Sequence, residues 1–554
     1  MVDDGDWCEV LPVADLLVRG AHRHPDRDLI VFPDSRFTYA EVLERGLRIA
    51  RGLLALGIRR GDHVGVLAPN GIEFIEGFFG AALTGCVVVP LNARHKASEL
   101  GYIVRNADLT ALLTVSDDGA YVDFVDVMHE ALPSLAAATT NLARVDIPEA
   151  PRLRAAVLLQ GEDKRGFTSR SALDRISETV DPTAVDRLRR RVRVRETAAI
   201  LYTSGTTANP KGCVLTHEAL TRGPVERAAR RLVTHGRHIS WAGGPLFHIA
   251  ALAPLVGALG AGGTYVTDVH FEPGRALELM RRERPTTAWP WFPAIMQSLL
   301  DHPSFDPSTL DSLRYLFLIG PRTLIEQVQH TFPAAELVAA CGMTETAGIY
   351  ALSEPSDTIA DRSGTQGKAA PGIELRIIDP DSGAEQPRGV PGEMLVRGYC
   401  VTEGYHKDPI KTADTIDADS WFHTGDLYSL TESDCLVFHG RLKDMLKVGG
   451  ENVAAIEVEA FLCEHPAVKT AAVIARPDER LDEVPVAFIE IRAGHSIEPD
   501  ELIEYCQGKI ARYKIPRAVH LVQPDDWPMS TTKINKRELG VRLAAIESAL
   551  GALR

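Results

Sequence analysis

Hydrophobic and polar positions alternate with two periods through most of the first 440 residues. Apolar residues recur at helical spacing over 40–56 and stop at Gly57, which predicts an amphipathic helix. The runs His63-Val-Gly-Val-Leu-Ala and Cys86-Val-Val-Val-Pro-Leu are short, apolar and rich in β-branched residues. Such runs read as buried strands, and strands of this kind separated by helices predict parallel sheets covered on both faces, the α/β class. The span 249–266 is nearly free of polar side chains but is interrupted by Pro254 and glycines. It predicts a buried helix followed by a turn, and no membrane span. Residues 150–195 are charged and irregular, a poor match to any element, and are read as including a surface excursion.

The pattern changes at Gly440-Arg-Leu-Lys-Asp-Met-Leu-Lys-Val-Gly-Gly450. Beyond it a helix is expected over 456–464, strands over 470–475 and 484–491, a helix over 499–510 and a last strand over 518–522. With 554 residues the chain exceeds what one core supports. The expected organisation is a large N-terminal body of stacked mixed β-sheets with helices, residues 1–443, and a small mobile α+β C-terminal domain, residues 444–554.

Composition narrows the function classes. The formal charge is −15, from 75 acidic and 60 basic residues, so nucleic acid is not an expected partner. The eight cysteines are scattered without a CxxC pair, which speaks against a zinc site or a disulfide framework and fits a reducing compartment. The acidic start Met-Val-Asp-Asp-Gly-Asp is the opposite of a signal peptide's basic region. The expected location is the cytoplasm, without membrane attachment; a homo-oligomer remains open.

The first chemical signal is Leu201-Tyr-Thr-Ser-Gly-Thr-Thr-Ala-Asn-Pro-Lys-Gly212, which follows the apolar stretch 198–201. Small residues let backbone N–H groups approach an anion, hydroxyls add donors, and Lys211 brings a positive charge. That combination suits a polyphosphate, although the GxxxxGK[ST] spacing of a Walker loop is absent. Four further segments follow in order: Gly342-Met-Thr-Glu-Thr346, Trp421-Phe-His-Thr-Gly-Asp426, Gly440-Arg441-Leu-Lys-Asp444 and Pro528-Met-Ser-Thr-Thr-Lys533-Ile-Asn-Lys536.

These five ordered motifs resemble the signatures of the adenylate-forming superfamily of acyl-CoA synthetases, luciferases and peptide-synthetase adenylation domains. The resemblance runs from Val64 to Lys536, and Pro90-Leu-Asn-Ala-Arg94 is similar to the acyl-CoA ligase branch. It implies activation of a carboxylic acid by ATP through acyl-AMP, then transfer to coenzyme A. By the same resemblance Thr203, Ser204, Gly205, Thr206, Thr207 and Lys211 hold phosphates. Gly320, Cys341, Gly342 and Met343 lie on the nucleotide side, Thr344 contacts the α-phosphate and Glu345 holds Mg²⁺. Asp426 binds the ribose hydroxyls with Arg441 nearby, and Asp444 is the pivot of a domain rotation. Lys447, Gly449 and Gly450 flank the pantetheine arm, and Lys533 bridges the acyl carboxylate and the α-phosphate. Lys536 reads as a solvated helix charge. Pro245-Leu-Phe-His248 resembles the histidine motif beside the acyl pocket, with Phe247 and His248 at its wall. Trp289, Trp291 and Phe292 either line that pocket or are core aromatics.

Four departures from the family pattern cluster on the nucleotide side. Ala208 stands where the loop usually carries glycine, and Cys341 replaces an aromatic that stacks on adenine. The adenine-side segment is shortened to Ile319-Gly320-Pro321, and Thr532 directly precedes Lys533, where a glycine is usual. Loss of a stacking partner removes about 1–3 kcal/mol. Two alternatives therefore stand beside the full reaction: an enzyme that mainly converts a supplied acyl-adenylate and CoA into the thioester, and a degenerate binding protein without chemistry.

Overall fold

A computed structural model describes residues 9–116, 122–138, 146–203, 209–234, 236–448, 451–478, 480–530 and 533–551. Its internal contacts divide the chain into two compact units, Met1–Glu374 with Arg397–Phe422, and Leu375–Val396 with His423–Arg554. The 443/444 border expected from composition falls inside the second unit.

The first unit holds two large sheets and a small three-stranded one, Ala340–Met343, Gly348–Leu352 and Lys368–Ala369. One large sheet runs in the order Ala155–Gln160, Leu109–Val115, His63–Leu67, Val87–Pro90, Thr197–Thr203, Lys211–Thr216. All its neighbours are parallel except the last pair. The other runs Glu336–Val338, Tyr315–Leu318, Thr287–Trp291, Ile239–Ala242, Thr264–Val266, Asp28–Val31, Arg36–Thr38, again with only the last pair antiparallel. Leu109–Val115 is buried at every position, the signature of a strand covered on both faces.

Local sequence sets the helix limits. Tyr39–Ala55 begins at Thr38, whose hydroxyl accepts the Glu41 N–H while Glu41 returns a carboxylate to the Thr38 N–H, a reciprocal capping box. It ends before Gly57, which adopts φ 84°, a conformation that glycine reaches without strain. The apolar span resolves into the buried helix Ile249–Gly260, a turn with Gly262 at φ 67°, and the strand Thr264–Val266.

The reading of 150–195 as a poor match to any element is corrected. Ala155–Gln160 is the buried edge strand of the six-stranded sheet, and the helices Arg170–Ser177 and Thr183–Arg189 follow. The charges misled because they are paired. Arg170 and Arg45 both engage Glu76, whose side chain is 1% exposed. Removing one member of such a pair strands the other charge. Glu76→Ala is expected to lower the unfolding free energy of this unit by about 3 kcal/mol, read from its urea transition; a loss below about 1 kcal/mol would show that the pair is structurally idle.

The second unit holds a four-stranded sheet, ordered Ile373–Ile378, Gly392–Gly398, Phe422–Leu430, Leu436–Arg441. A second sheet runs Glu451–Ala454, Met445–Val448, Asp482–Ile491, Val468–Asp478, with Ala518–Leu521 parallel beside Asp482–Ile491. The helices Ala455–Cys463 and Pro499–Cys506 carry core residues Val458, Leu462 and Leu502. Two expected boundaries shift. The paired strands reach Asp478 and Asp482 because backbone pairing continues through polar residues where apolar alternation has stopped. The helix from Pro499 ends at Cys506, ahead of Gly508 at φ 70°, rather than at 510. Among the described residues no helix is long and apolar enough to cross a membrane, and the seven described cysteines are free thiols.

Candidate active site

In the first unit, Thr203 and Lys211 face each other as the last paired residues of an antiparallel hairpin. Ser204, Gly205, Thr206, Thr207 and Ala208 lie outside the described residues. Gly212 is required on steric grounds, since a Cβ there would come within 2.7 Å of Ile200 Cγ2. Segment 402–406 adds to the free edge of Lys211–Thr216. The Val214 N–H donates to the Gly404 carbonyl at 3.0 Å, the Glu403 N–H to Val214 at 3.0 Å, and the His406 N–H to Gly212 at 2.8 Å.

Glu345 sits in a 3₁₀ turn, Thr344–Thr346, between the antiparallel strands Ala340–Met343 and Gly348–Leu352. The turn is tight: Ala347 adopts φ 49° and Gly348 φ 108°, and Thr346 Oγ1 donates to the Gly348 carbonyl at 2.8 Å. Gly342 crosses so close that a Cβ would stand 2.2 Å from that same carbonyl oxygen. Thr344 is buried, Glu345 and Met343 are half-buried and Gly342 is exposed.

Segment 402–406 joins this turn to the hairpin. Tyr405 Oη donates to Glu345 Oε1 at 3.0 Å, and the Thr402 N–H donates to the Glu345 carbonyl at 2.7 Å. Lys211 Nζ lies 5.7 Å from the Tyr405 ring centroid. Burial, then the Glu345 carboxylate, pushes the Tyr405 phenol upward. Cys213, fully buried between Thr203 and Glu345, is raised by the same two causes in the same order. Both groups are therefore protonated donors at neutral pH. Thr203, Lys211, Thr344 and Glu345, predicted from separate motifs, thus come together here. Tyr405, Thr402 and Cys213 were missed; the only trace of Tyr405 in the sequence is an aromatic after Gly404 in a turn-rich stretch.

On the predicted acyl side, Asn70 fixes the Pro245–His248 segment: its Nδ2 donates to the Gly244 and Asp268 carbonyls, each at 3.1 Å, and its Oδ1 accepts the Leu246 N–H at 2.8 Å. His248 caps the helix Ile249–Gly260 through Nδ1, which accepts the Ala250 N–H at 3.2 Å. Trp289 is 3% exposed, stacks on Phe317 with centroids 3.7 Å apart, and donates to Ser240 Oγ at 2.7 Å. Trp291 is 8% exposed, adopts φ 51° and donates to the Ala250 carbonyl at 2.7 Å. Phe247 and Phe292 are half-buried against the core. Cys341 is 4% exposed within its strand, and Gly320 lies 3.2 Å, by a built Cβ, from Pro293 Cγ.

In the second unit Asp426 and Arg441 are direct cross-strand partners, with Arg441 Nε 2.9 Å from Asp426 Oδ1. Asp426 is 7% exposed. Glu393, also missed by sequence reading, orders the approach to it: one carboxylate oxygen lies 3.0 Å from His423 Nδ1 and the other accepts the Gly425 N–H at 3.1 Å. Asp444 ends the 3₁₀ turn Leu442–Asp444, and the exposed Lys447 donates its N–H to Glu483 at 2.7 Å. Gly449 and Gly450 lie outside the described residues.

Lys533 opens the strand Lys533–Ile534, which pairs with Met529–Ser530; Thr532 lies outside the described residues. The hairpin is tied down by Ile534 on the local core and by Trp527 Nε1, which donates to Glu490 at 2.7 Å. Lys536 is not a solvated charge. Its Nζ pairs with Glu459 at 2.6 Å because the helix Lys536–Gly551 begins beside that carboxylate.

Among the described residues no three His, Cys, Asp or Glu side chains could cage a metal ion by themselves. Glu345 offers one half-buried carboxylate instead, which fits Mg²⁺, an ion that takes one or two carboxylates and completes its shell with substrate phosphates and water.

The family described as AMP-binding enzyme matches residues 17–406, and its C-terminal domain matches 457–533. The putative acyl-CoA synthetase YngI of Bacillus subtilis is 32% identical over 531 residues, 95% of each chain. A 4-coumarate–CoA ligase of Vanilla planifolia is 32% identical over 92% of this chain and 89% of its own. The crystal structure of the anthranilate CoA ligase AuaEII with anthranoyl-AMP superposes with a TM-score of 0.83 at 25% identity, covering 99% of this chain and 100% of that one. The motif order, the two α/β sheets and these likenesses agree, and the chain belongs to the acyl-CoA synthetase branch of the AMP-binding enzymes as an acid–thiol ligase.

Proposed function

We propose that the protein joins an apolar carboxylic acid to coenzyme A with ATP, carrying out both half-reactions itself. The observation that carries this is the convergence of Lys211 and Glu345 on Tyr405, with Thr203 paired to Lys211 across the hairpin, a cation, a hydroxyl and a fixed carboxylate suited to a metal-bound polyphosphate. The apolar class rests on the half-buried Phe247 and Phe292, and on relatives named for medium-chain, coumarate and anthranilate substrates.

In the first step a carboxylate oxygen attacks the α-phosphorus and the bond to pyrophosphate breaks. The substrate carboxylate is already ionised at neutral pH, so no base is needed. The difficulty is bringing two anions together, and fixed donors lower that cost. The 203–207 loop and Lys211 hold the phosphates, Thr344 donates at the α-phosphate, and Asp426 with Arg441 receives the ribose. Glu345 would hold Mg²⁺, which when bound would neutralise phosphate charge. Lys533 spans the carboxylate and the α-phosphate. In the second step the CoA sulfur attacks the acyl carbon, the bond to AMP breaks, and the thiol proton leaves to solvent. By the family resemblance Lys447, Gly449 and Gly450 are assigned to the pantetheine arm and Asp444 to the hinge.

Cys341 supports a second reading. Its small buried side chain offers adenine no aromatic face; an acyl-adenylate, which loses the same stacking, keeps the contacts of its acyl group, and in this reading it is the main substrate, supplied from outside. A panel of fatty and aromatic acids with ATP and CoA separates the two. Thioester and AMP formed in equal amounts are expected; thioester from synthetic acyl-AMP alone would establish the second reading instead.

A further inference from the structure

We infer that Tyr405 is a positioning residue that makes Glu345 present a single oxygen to its cation, and so favours Mg²⁺ over Ca²⁺. The inference rests on the reading of Glu345 as the carboxylate that meets the nucleotide's metal.

A carboxylate can bind a cation through one oxygen or through both. Small octahedral ions such as Mg²⁺ and Mn²⁺ sit well on one oxygen, whereas Ca²⁺, larger and with a fuller shell, readily takes both. In this protein Oε1 is engaged by the phenol of Tyr405 at 3.0 Å, with the buried Cys213 thiol beside the same carboxylate, and Oε2 is the oxygen assigned to the cation. The phenol is held on a fixed backbone. The Tyr405 N–H donates to Thr412 Oγ1 at 2.9 Å, and the residues on either side of Tyr405 are tied to Val214 and Gly212. Glu345 is fixed from the other side, through its carbonyl and the Thr402 N–H at 2.7 Å. Turning the carboxylate to offer both oxygens would break the phenol bond and leave a half-buried donor unpaired, which is unfavourable. Lys211 near the same ring places the phosphate-binding cation beside the oriented carboxylate.

The test uses the full chain with α,β-methylene-ATP and the Tyr405→Phe variant, which keeps the ring and removes the donor. Mn²⁺ binding is followed by electron paramagnetic resonance, with Ca²⁺ as competitor. Tyr405→Phe is expected to weaken Mn²⁺ about fivefold and to improve Ca²⁺ competition, so that the Ca²⁺:Mn²⁺ preference shifts at least tenfold toward Ca²⁺. CoA-dependent conversion of synthetic acyl-AMP, a step with no metal–nucleotide complex, gives the split between half-reactions and should change much less. A variant with an unchanged Ca²⁺:Mn²⁺ preference overturns the inference while leaving the proposed function intact. An equal fall in metal binding, acyl-AMP conversion and thermal stability also overturns it, by showing a purely structural role. If the unmodified protein binds no Mn²⁺ with the nucleotide, the inference and the ATP-dependent reading fail together.

Discussion

Replacing Lys533 with alanine is expected to lower acid-dependent ATP–pyrophosphate exchange by about a thousandfold, roughly 4 kcal/mol in the barrier. Conversion of synthetic acyl-AMP and CoA should fall less than tenfold. The asymmetry follows from charge. Two anions meet only in the first step, and a cation placed between them acts where repulsion is greatest. The fold gives the residue a defined mounting, at the first position of Lys533–Ile534 in a hairpin held by Ile534 and the Trp527–Glu490 bond. Lys536 cannot take its place, because Glu459 holds it at 2.6 Å. Equal losses in both half-reactions would mean that Lys533 supports the hairpin and not the chemistry.

Asp426→Ala is expected to raise the KM for ATP about a hundredfold with a smaller change in kcat. A buried carboxylate offers two oxygens to a vicinal diol, and hydrogen bonds to a charged acceptor contribute about 1.5–3 kcal/mol each. Asp426 is 7% exposed and braced by Arg441 at 2.9 Å, so little reorganisation opposes binding. The sharper readout is 2′-deoxy- and 3′-deoxy-ATP. The unmodified enzyme should discriminate against both by at least tenfold, and Asp426→Ala should lose most of that preference. A variant that still distinguishes the deoxynucleotides would place ribose recognition elsewhere.

The parts of the fold legible in sequence were those where one period dominates. The helix expected over 40–56 and the strands near 63 and 86 lie within a residue or two of Tyr39–Ala55, His63–Leu67 and Val87–Pro90. The stretch around 155 was misread because its charges were counted without their partners, and Glu76 lies 94 positions from Arg170. Site residues divided in the same way. Thr203, Lys211 and Glu345 carry their own chemistry in compact motifs. Tyr405 and Glu393 act through hydrogen bonds to Glu345 and Gly425, and strand pairing that brings 402–406 beside Lys211–Thr216 leaves no periodic trace. In sequence Lys536 reads as solvated, because its partner Glu459 is set by the packing of the last helix.

This chain itself is expected to form the acyl-adenylate from acid and ATP. Isotope exchange between pyrophosphate and ATP, measured with Mg²⁺ and an apolar acid but without CoA, addresses it most directly. Exchange that requires the acid and disappears when Lys533 is replaced is the predicted result. Absence of exchange across fatty and aromatic acids, from a preparation that still converts acyl-AMP and CoA into thioester, would contradict it.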